Sequence, residues 1–151
     1  MILVQRQAVI FGQIEYGSAN YRQALRLRET VLRMPLGLPL SKEDLRGEDR
    51  QLHFGLFSDG RIIACVIAVP VTASEAKIRQ TAVASAHQRQ GLASTMMRQL
   101  EDNLASRGFR FLSLHARTDA IGFYEKLGYQ TEGEEFVEVT IPHRKMVKRL
   151  T

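Results

Sequence analysis

One cysteine in 151 residues leaves no internal disulfide to tie this chain together. The apolar run IIACVIAV marks that residue, Cys65, as a small buried hydrophobe rather than a nucleophile. Tryptophan is absent, aromatic residues amount to 7%, and the basic residues are spread along the chain. A nucleic-acid surface needs clustered cations beside exposed aromatics, so no nucleic-acid partner is expected. The four histidines are scattered, no two are four residues apart, and there is no second cysteine, which leaves no metal site. No apolar run approaches the length that crosses a bilayer, so no membrane partner is expected either. The opening MILVQRQAVIF is interrupted by Gln5, Arg6 and Gln7 and carries no cleavage-site pattern. It does not read as a signal peptide, and a cytoplasmic location is the expectation.

What is present is ordinary for a globular protein: 44% hydrophobic and 25% charged residues, enough for one core. The length suits a single domain over residues 1–151. A net charge of +5 favours polyanionic ligands without choosing among them.

Residues 8–16 are β-rich and lead to Gly17 and Ser18, a turn with an N-cap. A first helix is predicted over 19–33, with Tyr21, Leu25, Arg28 and Leu32 along one face. In MPLGLPL, Pro35, Gly37 and Pro39 forbid regular structure, and the apolar side chains either pack on the core or line a cleft. Ser41, Glu43 and Asp44 look like the start of a short second helix. Runs 52–57 and 61–71 are joined by Asp59 and Gly60, the strongest hairpin signal in the chain. The second run is apolar on both faces and belongs mid-sheet, with Pro70 ending its ladder. A strand over 76–83, a polar turn, and a helix bearing Leu92, Met96, Leu100 and Leu104 follow. Ser106, Arg107 and Gly108 end that helix, and 109–116 form another strand, a unit that crosses over into parallel pairing. AIGFYEKLGY reads as a short helix capped by Asp119 and Gly128, and EEFVEVTIP with HRKMVKRL as an antiparallel pair. The fold class is α/β, or α+β by different bookkeeping. It comprises a mixed, mostly antiparallel central sheet of about six to seven strands, one parallel crossover and about four helices.

The stretch 78–104 organises the rest: IRQTAV, then ASAHQRQGLAS, then TMMRQLEDNL. A buried strand runs into a tight polar turn and directly into a helix whose first amides have no partner within it. The helix dipole adds positive charge there, so a phosphate can be held by backbone. Gly91 and Ala93 keep the approach open, while Gln88, Arg89 and Gln90 supply donors. The Lys-Ser/Thr pair of a P-loop and the three-glycine dinucleotide fingerprint are both missing.

QRQGLA resembles the Gln/Arg-x-x-Gly-x-Gly/Ala signature of the GNAT acyltransferases, the loop that in that family wraps the pyrophosphate of acetyl-coenzyme A. FLSLHA and AIGFYEKLGY resemble the family's next strand and its FYEKLGF-type helix, in family order over 76–129. FVEVTIPHRKM is similar to the Glu-x-Gly-Ile-Pro-His-x-x-Met ending of a bacterial branch called ElaA-like, with Thr140 in place of the glycine. LRETVLRMPLG resembles an N-terminal segment of related chains. The asparagine often found before the FY helix is missing, and Arg117 and Thr118 stand in that region.

The resemblance implies the acyl-CoA N-acyltransferase fold and transfer of an acetyl group from acetyl-CoA to a primary amine. It implies main-chain contacts to the pantetheine arm at Ala82, Val83 and Ser85, a form of strand addition. Gln88, Arg89, Gln90, Gly91, Leu92, Ala93 and Ser94 would surround the pyrophosphate, with Arg117 and Lys126 as further phosphate candidates. Tyr124 would sit at the coenzyme sulfur as general acid. The base stays open among Glu138, His143 and His115. Where some relatives carry a glutamate this chain has Lys77 or Arg79, neither suited to the role. Glu132, Glu134 and Glu135 either attract a cationic amine or form a solvated turn. The implied partners are acetyl-CoA and an amine-bearing acceptor, with a homodimer through the terminal strands left open. The alternative is a non-catalytic acyl-CoA-binding sensor or interaction module on the same fold.

Overall fold

The computed structural model describes residues 8–151, so the reading of residues 1–7 lies outside the described residues. These residues form seven strands: β1 (Val9–Ile14), β2 (Leu52–Ser58), β3 (Arg61–Pro70), β4 (Glu75–Val83), β5 (Phe111–Arg117), β6 (Gln130–Glu138) and β7 (Ile141–Arg149). Among the described residues four α-helices accompany them: α1 (Ala19–Arg28), α2 (Lys42–Leu45), α3 (Leu92–Ser106) and α4 (Ile121–Lys126). The sheet order is β1-β2-β3-β4-β5-β7-β6. β4 and β5 pair in parallel around α3, while β1–β2, β5–β7 and β6–β7 are antiparallel, the mixed sheet the patterning predicts. Two compact units are formed, one running through Ile67 together with Gln80–Met96, the other comprising Ala68–Arg79 and Met97–Thr151.

In the first unit, the Ser18 hydroxyl accepts from the Tyr21 amide and starts α1. Tyr21 and Ala24 then pack with Ile14, Cys65 and Ala82 in a buried cluster. The helix expected to reach Arg33 does continue, but it widens into a π turn at Glu29–Arg33 and then tightens into a 3-10 turn at Met34–Leu36. MPLGLPL is thus partly regular, contrary to expectation. Pro35 stands in the first positions of that turn, where no amide is needed, and Gly37 closes it at φ 71. The carboxylate of Glu29 accepts from the Leu40 amide at 3.0 Å and pins the rest of the loop. Ser41 and Asp44 form a reciprocal capping box that starts α2. Asp59 and Gly60 turn the β2–β3 hairpin at φ 53 and 75. Ile63 through Ala68 are all buried, as a central strand requires.

In the second unit, Met97, Leu100 and Leu104 are buried along α3, which ends where Gly108 takes φ 99 and the Phe109 amide bonds the Leu104 carbonyl. Leu112, Leu114 and Ala116 form the buried face of β5. α4 departs from expectation at its start. Asp119 lies inside a preceding 3-10 turn, Thr118–Ala120, and the capping residue is Ala120, with no side-chain hydrogen bond. The terminal hairpin also differs. EEFVEVTIP is not one strand, because Val139 and Thr140 form the turn at φ 44 and 68, so β6 begins earlier and β7 starts at Ile141. Two β-branched residues in left-handed conformation carry no turn signal that patterning recognises.

Candidate active site

The phosphate-type turn lies in the first unit. Gln88, Arg89, Gln90 and Gly91 are exposed, and Arg89 and Gly91 both take left-handed angles, φ 64 and 75, so the chain doubles back just before α3. A Cβ built on Gly91 would meet nothing within 4 Å, which leaves open space over the first amides of a 15-residue helix. Open space, exposed main chain and a helix N-terminus are what a diphosphate needs. Leu92, Ala93 and Ser94 supply the first turn of α3, all half-buried. The Gln88 side chain bonds within the turn. Its Nε2 donates back to the Val83 carbonyl at 3.0 Å and stiffens the turn. Ala82 is buried, Val83 half-buried and Ser85 exposed, and the Ala84 amide donates to Ile63 O at 2.8 Å.

Tyr124 lies in the second unit, half-buried on α4, with its ring 4.9 Å from Phe123 and 5.7 Å from Tyr129, both edge-on. Its carbonyl accepts from the Leu127 and Tyr129 amides, which closes the helix. Beneath it sits a buried polar cluster. The Tyr129 hydroxyl donates to Glu101 Oε2 at 2.7 Å, and Lys148 Nζ donates to Glu101 Oε1 at 2.7 Å and to the Leu127 carbonyl at 2.6 Å. Burial first, and the Glu101 carboxylate second, push the Tyr129 phenol far above its ordinary value, so it stays a donor. This support for α4 is absent from the expectations drawn on the sequence. The available signal was Glu101 itself, a carboxylate on the Met97–Leu104 apolar stripe at helical spacing.

The second unit also brings together two of the candidate bases. His115 Nδ1 lies 2.9 Å from Glu138 Oε2, with His115 28% exposed and Glu138 46% exposed. With the carboxylate accepting, a neutral imidazole has its proton on Nδ1 and its lone pair on Nε2. Phe136 holds the His115 ring edge-on at 4.8 Å. On its other side Phe136 stacks on His143, which is buried and donates Nδ1–H to the Ile141 carbonyl at 2.8 Å. His143 therefore braces the hairpin, and His115 with Glu138 is the open pair. His115 is the first residue past the β4–β5 register, which ends at Ile78 opposite Leu114.

Around this pair stand Lys145, opposite His115 in β7, and Glu132, 3.2 Å from the Lys145 ammonium. Lys77 is half-buried on β4. Burial lowers its affinity for a proton, Arg79 and Lys145 act in the same direction, and Glu138 opposes them. Arg117 faces His143 across the β5–β7 register, and Lys126 is exposed on α4. A cavity of about 520 Å³ opens beside Phe111, Ser113, Glu75 and Lys145, and none of Tyr124, His115 and Glu138 lines it. Among the described residues no group of three or more His, Cys, Asp or Glu could hold a metal ion. Among the described residues no helix is long and apolar enough to cross a membrane either.

A family model described as acetyltransferase (GNAT) family matches residues 20–129, a span that holds both the turn and α4. The chain belongs to the GNAT acetyltransferase family. Among curated relatives, YyaT of Bacillus subtilis is 36% identical over 76 residues, 50% of this chain and 51% of that protein, so the match spans about half of each. Among solved structures, Escherichia coli ElaA superposes with a TM-score of 0.81 at 17% identity, over 93% of this chain and 99% of ElaA. A GNAT family acetyltransferase from Elizabethkingia anophelis, solved with acetyl-CoA bound, gives 0.74 at 16% identity over 94% and 98% of the two chains. At these identities the GNAT structures show a shared fold.

Proposed function

We propose that this GNAT chain, read as one domain over 1–151, transfers an acetyl group from acetyl-CoA to a primary amine. The observation that carries the proposal is the open left-handed turn at Arg89–Gly91 feeding α3 inside the span that the family model matches. The relative with acetyl-CoA bound supports that choice of cosubstrate. Acetyl-CoA supplies a thioester-activated acyl group with a thiol as its leaving group. The residues of the chain do the rest. Backbone at Gly91, Leu92, Ala93 and Ser94 holds the diphosphate, with Arg89 and Gln90 at its rim. Main chain at Ala82, Val83 and Ser85 offers strand-type hydrogen bonds, Val83 exchanging its bond from Gln88 for one from the ligand.

Two protons have to move. An alkyl amine is protonated at neutral pH and must lose a proton before it can attack. His115 Nε2 takes it, with Glu138 fixing the tautomer and facing the imidazolium that results. The Tyr124 hydroxyl gives a proton to the departing sulfur. The test is calorimetric titration with acetyl-CoA, followed by thiol release from acetyl-CoA with a panel of polyamines, amino acids and short peptides. Wild type binds and turns over at least one amine. Tyr124→Phe binds equally and turns over slower by on the order of tenfold to a hundredfold. Unchanged turnover in that variant removes the acid role. Absence of binding by wild type removes the transferase reading, and binding without turnover on any amine leaves an acyl-CoA sensor.

A further inference from the structure

Gln80 stands within β4 at φ 56, a left-handed angle for a residue that is not glycine. Such a residue persists only where its surroundings over-determine it. Here the surroundings are a buried charge network in the first unit. Gln80 Oε1 accepts from Arg28 Nε at 3.0 Å. The Arg28 guanidinium grips Glu48 with both terminal nitrogens, at 2.8 and 2.6 Å. Glu48 Oε1 also accepts from the Tyr21 hydroxyl at 2.6 Å, and the Glu48 carbonyl accepts from His53 Nε2 at 2.8 Å. Arg28 and Glu48 are each 1% exposed. Beyond the kink, Ala82 turns into the cluster with Tyr21 and Ala24, and Val83 and Ser85 follow directly.

A buried ion pair is weak ground for stability, since apolar residues of like volume usually serve a core as well or better. A glycine at position 80 would adopt the same angle without a partner. The chain instead has a side chain whose amide reaches the one buried guanidinium of α1. That bond ties the left-handed residue of β4 to α1.

We infer that Arg28 and Glu48, acting through Gln80, are positioning residues for acetyl-CoA. They hold the kink of β4 so that the main chain from Ala82 to Ser85 is aimed to pair with the pantetheine arm. This rests on the acetyl-CoA reading above. The pair touches no reacting atom and acts only through the strand.

The experiment compares two probes by calorimetry: acetyl-CoA, and adenosine 3′-phosphate 5′-diphosphate, which has the nucleotide end of the coenzyme without its pantetheine arm. Gln80→Leu is expected to weaken acetyl-CoA binding by about tenfold or more and to leave the nucleotide within about twofold. Gln80→Glu, which keeps an acceptor for Arg28, is expected to retain acetyl-CoA affinity within about threefold. Gln80→Gly tolerates the backbone angle and so folds, and it is expected to follow Gln80→Leu. Equal weakening of both probes would show a merely structural role and overturn the inference. Unchanged acetyl-CoA affinity in Gln80→Leu and Gln80→Gly would overturn it too. Wild type that binds the nucleotide but gains nothing from the pantetheine arm would remove it as well. Wild type that binds neither probe would overturn the acetyl-CoA reading itself.

Discussion

Thr140 sits at φ 68 and Val139 at φ 44, angles at which a β-branched side chain crowds its own backbone. The GNAT branch that the C-terminal segment resembles has glycine where Thr140 stands, which is the residue such an angle favours. Thr140→Gly is expected to stabilise the protein by about 1 kcal/mol. By calorimetry the midpoint should rise by roughly 2–4 °C. A fall would show that the threonine makes a contact outweighing its strain. The same turn carries Glu138 at its edge, so the strain sits beside the carboxylate that partners the proposed base. His115→Ala is expected to bind acetyl-CoA normally and to lose turnover by roughly a hundredfold or more. Added imidazole should restore part of it. Full turnover without imidazole would remove His115 from the chemistry, and loss that imidazole leaves unchanged would make it a packing residue. His115 and Glu138 were each legible as candidates, but their pairing was not. It depends on the irregular register between Glu132 and Phe136, which no periodicity announces.

Elements were legible where one local signal dominated. The Asp59-Gly60 hairpin, the apolar β3 and the Leu/Met stripe of α3 each rest on a single strong pattern and formed as expected. The misses share a cause. The π turn after α1, the Ala120 cap and the Val139–Thr140 turn each form against weak or contrary local preference. The start of α3 allows an element-scale prediction that separates fold from function. Ser94 is the third residue of that helix, where a carboxylate favours the helix by facing its dipole. The same carboxylate would repel a bound diphosphate. Ser94→Glu is therefore expected to keep or raise the melting midpoint while weakening acetyl-CoA binding by on the order of tenfold. Unchanged affinity would place the diphosphate away from α3. A bulky substitution at Gly91 would be a poorer probe, because φ 75 would strain any side chain there whatever occupies the site.

At the scale of the molecule, composition and order of elements were enough for the family-type sheet, because GNAT motifs at fixed spacing place a strand, a turn and a helix in one sequence. The buried charge network was not legible. Arg28 lies on the predicted apolar face of α1, but Glu48 is 20 residues away in the chain and only the fold brings the two together. That network supplies the test of what holds the first unit as a whole. Replacing Glu48 by Gln leaves a buried guanidinium without its counter-charge, a change that costs about 3–5 kcal/mol. For a chain of this size that corresponds to a midpoint lowered by roughly 6–20 °C. The control is Glu43→Gln, which breaks the Arg46–Glu43 pair, whose side chains are 75% and 74% exposed. Solvent screens that pair, so its loss should leave the midpoint within about a degree or two. A Glu48→Gln midpoint close to that of Glu43→Gln would mean that water or a rearranged partner replaces Glu48, and that the apolar cluster around Tyr21 and Ala24 alone sets α1 on the sheet.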